Sequence, residues 1–200
     1  MCKFLVSFLT FFSIVTLVSP VSAQTKTVVI PMFSDGAPTE KKVFVTDTTF
    51  NGNLGGISGA DDKCQSAADN AVPPLSGIYK AWVSRSNLNS IPTRPSFQKH
   101  DLPYKNLDGS LIATSFDDFL DGVFAGVIKR LSGSEEPRPV WTGTFDSGSV
   151  SAFNCLGWTS DDGGDSGTSG ASNGGVTSEN WSDQASGFCN LFANLYCFEQ

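Results

Sequence analysis

Apolar and polar side chains alternate in several short segments of the chain, and this period-two pattern predicts β-strands. The clearest segment covers residues 79–83: Tyr79, Ala81 and Val83 fall on one face, and Trp82 falls on the other, where we expect it to cover a second layer. Further strands are predicted at residues 43–45, 140–144 and 195–198.

Small and apolar residues at helical spacing predict a first α-helix after the glycine-rich turn at residues 51–56. Either Ser58 or Asp61 can cap its N-terminus by accepting a hydrogen bond from a free backbone N–H. Pro73 stops the helix. The residues at helical spacing before it are Cys64, Ala67, Ala68 and Ala71.

A second helix is predicted at residues 115–123, where Ser115 and Asp118 form a variant of the capping box. We expect its acidic side chains to be solvated. Short, mainly antiparallel strands with two helices make an α+β domain. The apolar residues at positions i, i+3, i+4 and i+7 are Phe116, Phe119, Leu120 and Val123.

The N-terminus has the pattern of a signal peptide at residues 1–23. Lys3 precedes an apolar run, and small side chains up to Ala23 predict cleavage before Gln24. The alternative is an uncleaved membrane anchor, although the run is shorter than the ~20 apolar residues that a bilayer requires. We therefore expect a secreted, extracellular or cell-surface protein without stable membrane insertion.

The mature chain is predicted to form one domain at residues 43–200, preceded by an N-terminal spacer at residues 24–42. A short strand at residues 28–30 is compatible with the spacer, but prolines and a glycine interrupt residues 31–38. The 20 acidic and 13 basic residues of the full sequence disfavour a nucleic-acid partner. An extracellular protein or a glycan is the expected kind of partner.

The chain has five cysteines, and Cys2 lies in the leader. Four cysteines on an exported chain predict two disulfides, for which three pairings are open. His100 is the sole histidine, so metal sites built from several imidazoles are excluded. We expect no cofactor.

Residues 159–178 are rich in glycine, serine and threonine, which fill fourteen of the twenty positions. Such a segment predicts an irregular, solvated loop, and the alternative is a loop that becomes ordered around a ligand. Asp161, Asp162 and Asp165 are candidate ligand-binding residues because carboxylate oxygens suit Ca²⁺. Their spacing lacks the pattern of an EF-hand, so no metal site is predicted.

One string in this segment, from Gly164 to Gly167, resembles the serine-nucleophile motif of chymotrypsin-like proteases, and His100 precedes it. Position 168 is Thr where that motif continues with Gly, and the string lies in low-complexity sequence. We therefore expect no enzyme, and a hydrolase remains the weakest alternative.

Several strings together match the pattern of one family. They lie at residues 44–46, 59–64, 107–109 and 140–143, and at Asn51-Gly52-Asn53-Leu54-Gly55-Gly56, Tyr79-Lys80-Ala81-Trp82, Asn154-Cys155-Leu156-Gly157-Trp158-Thr159 and Leu195-Tyr196-Cys197-Phe198-Glu199. On these strings the chain closely resembles a bacterial secreted domain family of unknown function, number fifteen fifty-four. The resemblance covers residues 42–200.

More distantly, the order of elements is similar to that of endostatin, a collagen domain with a C-type-lectin-like fold. The resemblance implies a single C-type-lectin-like domain with long loops and nested bridges, Cys64 with Cys197 and Cys155 with Cys189. The zinc-binding histidines and heparin-binding arginines of endostatin have no counterparts here, so neither property is expected.

Sugar-binding lectins of this fold bind Ca²⁺ through two short motifs, which Glu136-Pro137-Arg138 and Trp181-Ser182-Asp183 resemble. Each string departs at a ligand position, so calcium-dependent sugar binding is unsupported, and Asp183 is kept only as a fourth candidate ligand-binding residue. The expected function is a non-catalytic recognition or adhesion module that binds through its long loop. A purely structural extracellular domain is the main alternative.

Overall fold

The computed structural model describes residues 37–86, 89–122, 124–174 and 180–200. The chain divides into two units, Met1–Gly36 and Ala37–Gln200, and every described residue belongs to the second unit. The predicted signal peptide at 1–23 and the predicted strand at 28–30 lie outside the described residues.

The described residues form two β-sheets, and the first of them has five strands. They are β1 (Lys41–Val45), β2 (Tyr79–Ala81), β3 (Tyr104–Lys105), β4 (Leu111–Ala113) and β8 (Tyr196–Glu199). Their order is β2-β8-β1-β3-β4, and the pairs are antiparallel except for β1 with β3. Strand β1 begins at Lys41, within the segment 24–42 that the sequence predicted as a spacer.

Side chains alternate across this sheet as the sequence predicted. Tyr79, Ala81 and Val83 lie in one buried cluster together with Phe44, whereas Trp82 lies in a second cluster. The sheet therefore separates two apolar layers, and the expectation that Trp82 covers the second layer is confirmed.

The first helix, α1 (Gly56–Asp69), is also confirmed. It buries Ala60, Cys64 and Ala68, one residue in each turn. The predicted caps are wrong, because Gly55 precedes the helix in the left-handed conformation and no side chain caps it. Asp61 lies within the helix and accepts a hydrogen bond from the N–H of Ala81 instead.

The second predicted helix, at residues 115–123, is wrong. Among the described residues of this segment, which leave out Val123, the structure has only a 3₁₀ turn at Asp117–Phe119. The Asp118 carboxylate closes this turn by accepting hydrogen bonds from the N–H and Oγ1 of Thr114, at 2.6 and 2.8 Å. Gly122, with φ 78°, then turns the chain. The apolar spacing arises because Phe116 and Phe119 enter the core from a turn, where a helix is not needed to bury them.

An aromatic cluster fills the layer on the Trp82 side of the sheet. The Trp82 ring lies 4.7 Å from Trp181 and 5.1 Å from Phe198, measured between centroids. Phe119 packs at 5.0 Å from Phe198. All of these side chains are fully buried, so residues from distant parts of the chain form one core.

The second sheet has three antiparallel strands in the order β5-β6-β7, and a helical turn precedes its central strand. These elements are β5 (Pro139–Trp141), α2 (Cys155–Trp158), β6 (Ser166–Ala171) and β7 (Ala185–Phe188).

Strand β6 overturns the prediction of an irregular, solvated loop at residues 159–178. Residues 167–171 are buried, and their small size is what the packing requires. A Cβ atom on Gly167 would lie 2.7 Å from the Sγ of Cys155, and one on Gly170 would lie 1.6 Å from the carbonyl oxygen of Trp181. Glycine here allows close approach of backbone and side chains. Residues 175–178 of the predicted loop lie outside the described residues.

Across the described residues, no helix has the length and apolar character needed to cross a membrane.

Candidate functional site

Two disulfides tie the elements together. Cys64 of α1 is bonded to Cys197 of β8, and Cys155 of α2 is bonded to Cys189, which directly follows β7. This is the nested pairing that the resemblance to endostatin implied. The bridges close loops of 133 and 34 residues. In the chain-entropy description they stabilise the fold by about 5 and about 4 kcal/mol.

The turn α2 has an unusual backbone. Cys155, Leu156, Gly157 and Trp158 all have positive φ, at 49°, 52°, 73° and 69°. For a non-glycine residue this left-handed conformation costs about 1–2 kcal/mol. Asn154 helps to hold the turn, because its Oδ1 accepts a hydrogen bond from the Gly157 N–H at 2.8 Å and its carbonyl oxygen accepts one from the Trp158 N–H at 2.7 Å.

One side chain of the same turn is exposed and is not packed in the core. Trp158 is buried and donates its indole N–H to the carbonyl oxygen of Ser84 at 2.8 Å, so it anchors the turn. Leu156, by contrast, is 70% exposed. The backbone strain therefore holds an apolar side chain in solvent, where it gains nothing from burial. Strain of this kind is concentrated at functional sites.

Leu156 belongs to a larger apolar surface. Five of the nine exposed large hydrophobic side chains among the described residues stand within three positions of Cys155 or Cys189. Because the two Cα atoms of the bridge are 5.7 Å apart, the two groups of side chains lie close together. We call this the bridge surface, and it consists of Phe153, Leu156, Phe188, Leu191 and Phe192.

Several exposed apolar side chains on one part of a domain surface mark a place where a partner binds. The bridge surface is also rigid, because the disulfide and the buried Trp158 fix its backbone. Little conformational freedom is then lost when a partner covers it.

Three of the predicted site residues, Asp161, Asp162 and Asp165, form a turn beside the bridge surface. The N–H of Cys189 donates to the carbonyl oxygen of Asp165 at 3.0 Å, which joins this turn to the disulfide. Each of the three carboxylates accepts a hydrogen bond, either from a residue nearby in the sequence or at an exposed position. The donors are Asn51 Nδ2 to Asp161 at 3.3 Å, the Gly164 N–H to Asp162 at 2.7 Å and Ser160 Oγ to Asp165 at 2.5 Å.

The fourth candidate, Asp183, lies at the other end of β7, two residues before the strand. Burial raises the pKa of its carboxyl group. A four-residue strand spans about 13 Å, so β7 separates Asp183 from the other three aspartates. Within the described residues, no three or more His, Cys, Asp or Glu side chains are grouped so that they could hold a metal ion. The four aspartates thus flank a strand at both ends.

The strings that resemble lectin calcium motifs make contacts within the domain. The Arg138 guanidinium pairs with the Glu136 carboxylate at 2.6 Å. Ser182 is buried, and its Oγ accepts a hydrogen bond from the indole N–H of Trp82 at 3.1 Å. Neither string brings its residues to the bridge surface.

The structure also separates the residues of the protease-like string. Ser166 begins β6 and is paired with Phe188 of β7. His100 precedes β3, and its carbonyl oxygen accepts a hydrogen bond from the Phe116 N–H. In the described part of the chain no hydrogen bond joins Ser166 to His100. Desolvation, together with the charge of Lys41, lowers the pKa of His100.

Two adjoining clefts, of 530 and 550 Å³, run along α1 on another part of the domain. Both are lined by Asp47, Asn70 and Leu131. We call them the α1 clefts. They are open and mixed in polarity, and Lys63 covers the ring of Phe50 within them at 5.4 Å.

Sequence reasoning named the four aspartates as candidates but did not point to the bridge surface. A signal was present, because apolar residues adjoin both Cys155 and Cys189 outside any predicted strand or helix. Apolar residues next to cysteines are usually buried, so their pattern does not indicate exposure. Exposure of Leu156 follows from the left-handed backbone of α2, which no pattern of side chains predicts.

A comparison with curated proteins gives no match. A family model matches residues 47–174, which is more than half of the chain, and its description is a protein of unknown function, DUF1554. The matched region contains α1, α2, β5 and β6. The chain therefore belongs to the DUF1554 family of proteins of unknown function.

Proposed function

We propose that the chain is a secreted or surface-displayed, non-catalytic recognition module, and that it binds an extracellular protein through the bridge surface. The observation that carries the proposal is Leu156, a strained and 70% exposed apolar side chain next to a disulfide. Export of the chain is supported by the two disulfides, which persist in oxidising compartments.

We also propose a C-type-lectin-like arrangement for the domain. Its support is the nested disulfide pairing, the α+β composition and the chain's terminal strand β8, which lies beside β1 in the sheet. Fold alone does not assign a function, so the recognition proposal depends on the bridge surface and not on this likeness.

The bridge surface has the chemistry of a protein-binding surface. Covering one Leu or Phe side chain contributes about 1.5–3 kcal/mol. All five side chains of the bridge surface are more than half exposed, so five such anchors are available. Apolar anchors held on a rigid backbone are typical of the few residues that supply most of a protein–protein affinity.

A protein partner accounts for this surface better than a glycan bound through calcium. The aspartates are divided between the two ends of β7, and within the described residues no group of three or more His, Cys, Asp or Glu side chains could hold a metal ion. Binding is therefore expected to be independent of calcium. Catalysis has no support from the arrangement of Ser166 and His100 described above.

The test is surface plasmon resonance of the mature protein against a panel of purified extracellular matrix proteins, with a glycan array in parallel. The variant Leu156→Asn removes the apolar side chain at a position that Asn tolerates. The matched control is Ile78→Asn, because Ile78 is 61% exposed and lies away from the bridge. We expect a matrix protein to bind the wild type and Ile78→Asn equally, with affinity for Leu156→Asn about tenfold lower and EDTA without effect.

Equal binding of the two variants would contradict the proposed surface. Binding to glycans alone would replace the protein partner by a carbohydrate. Failure of the whole panel, glycans included, would favour the purely structural interpretation.

A further inference from the structure

The edge strands of the two sheets differ in whether their outward backbone groups are hydrogen-bonded to other parts of the domain. In β2 the outward N–H groups of Tyr79 and Ala81 donate to the side chains of Gln65 and Asp61 at 2.8 and 3.0 Å. In β4 the carbonyl oxygen of Ile112 accepts from the Ala125 N–H at 2.8 Å. These edges are covered by other parts of the domain.

Strand β5 is covered in the same way, because its outer edge bonds with Asn194. The N–H of Trp141 donates to the Asn194 carbonyl oxygen, and the N–H of Asn194 donates to the Pro139 carbonyl oxygen, both at 3.0 Å. Of the four edge strands in the described residues, this leaves β7.

The edge of β7 is open at its outward N–H groups, although the carbonyl oxygen of Phe188 accepts a hydrogen bond from the Leu191 N–H at 3.0 Å. Its hydrogen-bonded pairs with β6 fall at alternate residues, as the Cys189 N–H bond to the Asp165 carbonyl oxygen shows. Gly187, two residues earlier, therefore bonds inward with Gly167, while the N–H groups of Ser186 and Phe188 point outward. Among the described residues, neither of these two N–H groups donates to a backbone group outside the β6–β7 ladder.

Strand β7 also lacks the features that protect a free edge. Its residues Ala185–Phe188 include no proline and no charged side chain, and three of the four are exposed. An edge of this kind is a template for pairing with another extended chain. Phe188, 59% exposed, belongs both to β7 and to the bridge surface, so the strand edge and the apolar anchors share this residue.

The charges around β7 indicate what kind of partner segment would bind beside this strand. Asp183 stands before the strand, and Asp161, Asp162 and Asp165 stand at its far end. In the described part of the chain none of these four carboxylates takes part in an ion pair with a Lys or Arg side chain. A segment with basic residues at both ends and an apolar residue between them would complement both the charges and Phe188.

We propose that β7 binds an extended, lysine- or arginine-flanked apolar segment of a partner protein, which adds to the sheet as a new strand beside β7. This inference rests on the recognition function proposed above and names the chemistry of its partner. A second copy of this chain is a poor occupant, because pairing β7 with β7 would bring the aspartates of the two copies together.

The test compares Ser186→Pro with Ser186→Ala in the full mature protein. Proline removes the outward N–H without breaking the ladder to β6, whereas alanine keeps it. The probe is a short peptide in which valine and threonine alternate between lysine ends. We expect Ser186→Ala to bind as the wild type does and Ser186→Pro to bind about tenfold more weakly. Equal affinities of the two variants would overturn strand addition.

Variants of the peptide keep the proposal falsifiable if Ser186→Pro disturbs the fold. Methylation of the peptide's alternate backbone nitrogens should abolish binding to the wild type, and glutamate in place of the terminal lysines should weaken it strongly. Binding that survives methylation would overturn strand addition, and binding that survives the charge exchange would overturn the basic ligand class. Failure of the lysine-ended peptide itself would also count against the proposal.

The affinities of the two variants for the partner found in the matrix panel distinguish strand addition from recognition in general. Loss of affinity for Leu156→Asn with unchanged affinity for Ser186→Pro would leave recognition standing and remove strand addition. Sedimentation of the protein alone provides the remaining check, since a dimer that Ser186→Pro dissociates would show that β7 pairs with itself.

Discussion

The variant Gly170→Ala tests whether the glycine-rich segment is a buried strand or a solvated loop. The added Cβ would lie 1.6 Å from the carbonyl oxygen of Trp181 and 2.8 Å from the Cα of Ser182. Atoms in ordinary contact are about 3.5–4.0 Å apart, so the backbone at Trp181 has to move by about 2 Å. Overpacking of this kind costs about 1–3 kcal/mol.

That movement also breaks hydrogen bonds. The Trp181 carbonyl oxygen accepts from the buried Tyr196 hydroxyl at 2.8 Å, and the neighbouring Asn180 carbonyl oxygen accepts from the Ala171 N–H at 3.1 Å. Loss of one buried hydrogen bond costs about 1–3 kcal/mol. We therefore expect Gly170→Ala to lower the free energy of unfolding by about 4 kcal/mol, a large share of the about 5–15 kcal/mol of an ordinary domain.

The assay is guanidinium-induced unfolding of the oxidised protein, followed by tryptophan fluorescence. The control is Gly164→Ala in the same segment, where the nearest atom to the new Cβ is the Asp162 carboxylate at 3.2 Å. This exposed substitution should change the free energy of unfolding by less than about 0.5 kcal/mol. Equal stability of Gly170→Ala and Gly164→Ala would refute the buried strand and restore the solvated loop.

Three further predictions concern stability. Leu156→Gly should raise the free energy of unfolding by about 0.5–1 kcal/mol, because glycine has no penalty at φ 52°, and a lower melting temperature would contradict the strain. Replacing both Cys155 and Cys189 by serine should cost about 4 kcal/mol in thermal or denaturant unfolding, whereas an unchanged midpoint would contradict the bridge. Hydrogen bonds from two lysines lower the pKa of Glu40 from 4.5 to about 2. Its stabilising contribution is thus complete above pH 4.5 and is lost as the pH falls towards 2, and Glu40→Gln should remove that part of the acid dependence in urea unfolding. An unchanged slope over this range would count against the ion pairs.

Periodicity correctly predicted the elements that pack against a regular apolar layer. The alternation at residues 79–83 was correct because one sheet separates two apolar layers, and Tyr79 and Trp82 each have a layer to enter. The helix α1 was correct because its small buried residues recur once per turn. In both elements the spacing of buried residues in the sequence matches the geometry of a regular strand or helix.

Periodicity failed where burial comes from an irregular path. The spacing of Phe116 and Phe119 fits a helix, yet a 3₁₀ turn places both rings in the aromatic cluster. Strand β6 carries no apolar pattern, because Gly167 and Gly170 are packed against Trp141 and Trp181. Large residues elsewhere in the chain supply the apolar surface, so the strand itself has a polar sequence.

The candidate site was predictable only in part. The acidic residues stand out in the sequence, but their division between the two ends of β7 depends on the pairing of β6 with β7. Exposure of Leu156 depends on the left-handed turn α2, which Asn154 and the bridge to Cys189 stabilise. These are long-range contacts, and a single sequence does not reveal them.

The central claim is that partners bind at the bridge surface and the edge of β7. Amide hydrogen exchange of the protein, followed by mass spectrometry with and without the matrix protein that it binds, tests this claim most directly. We predict added protection in the peptides that cover residues 153–165 and 183–192, with no change along α1. Protection confined to α1 and the α1 clefts, with none near Cys155 and Cys189, would contradict it.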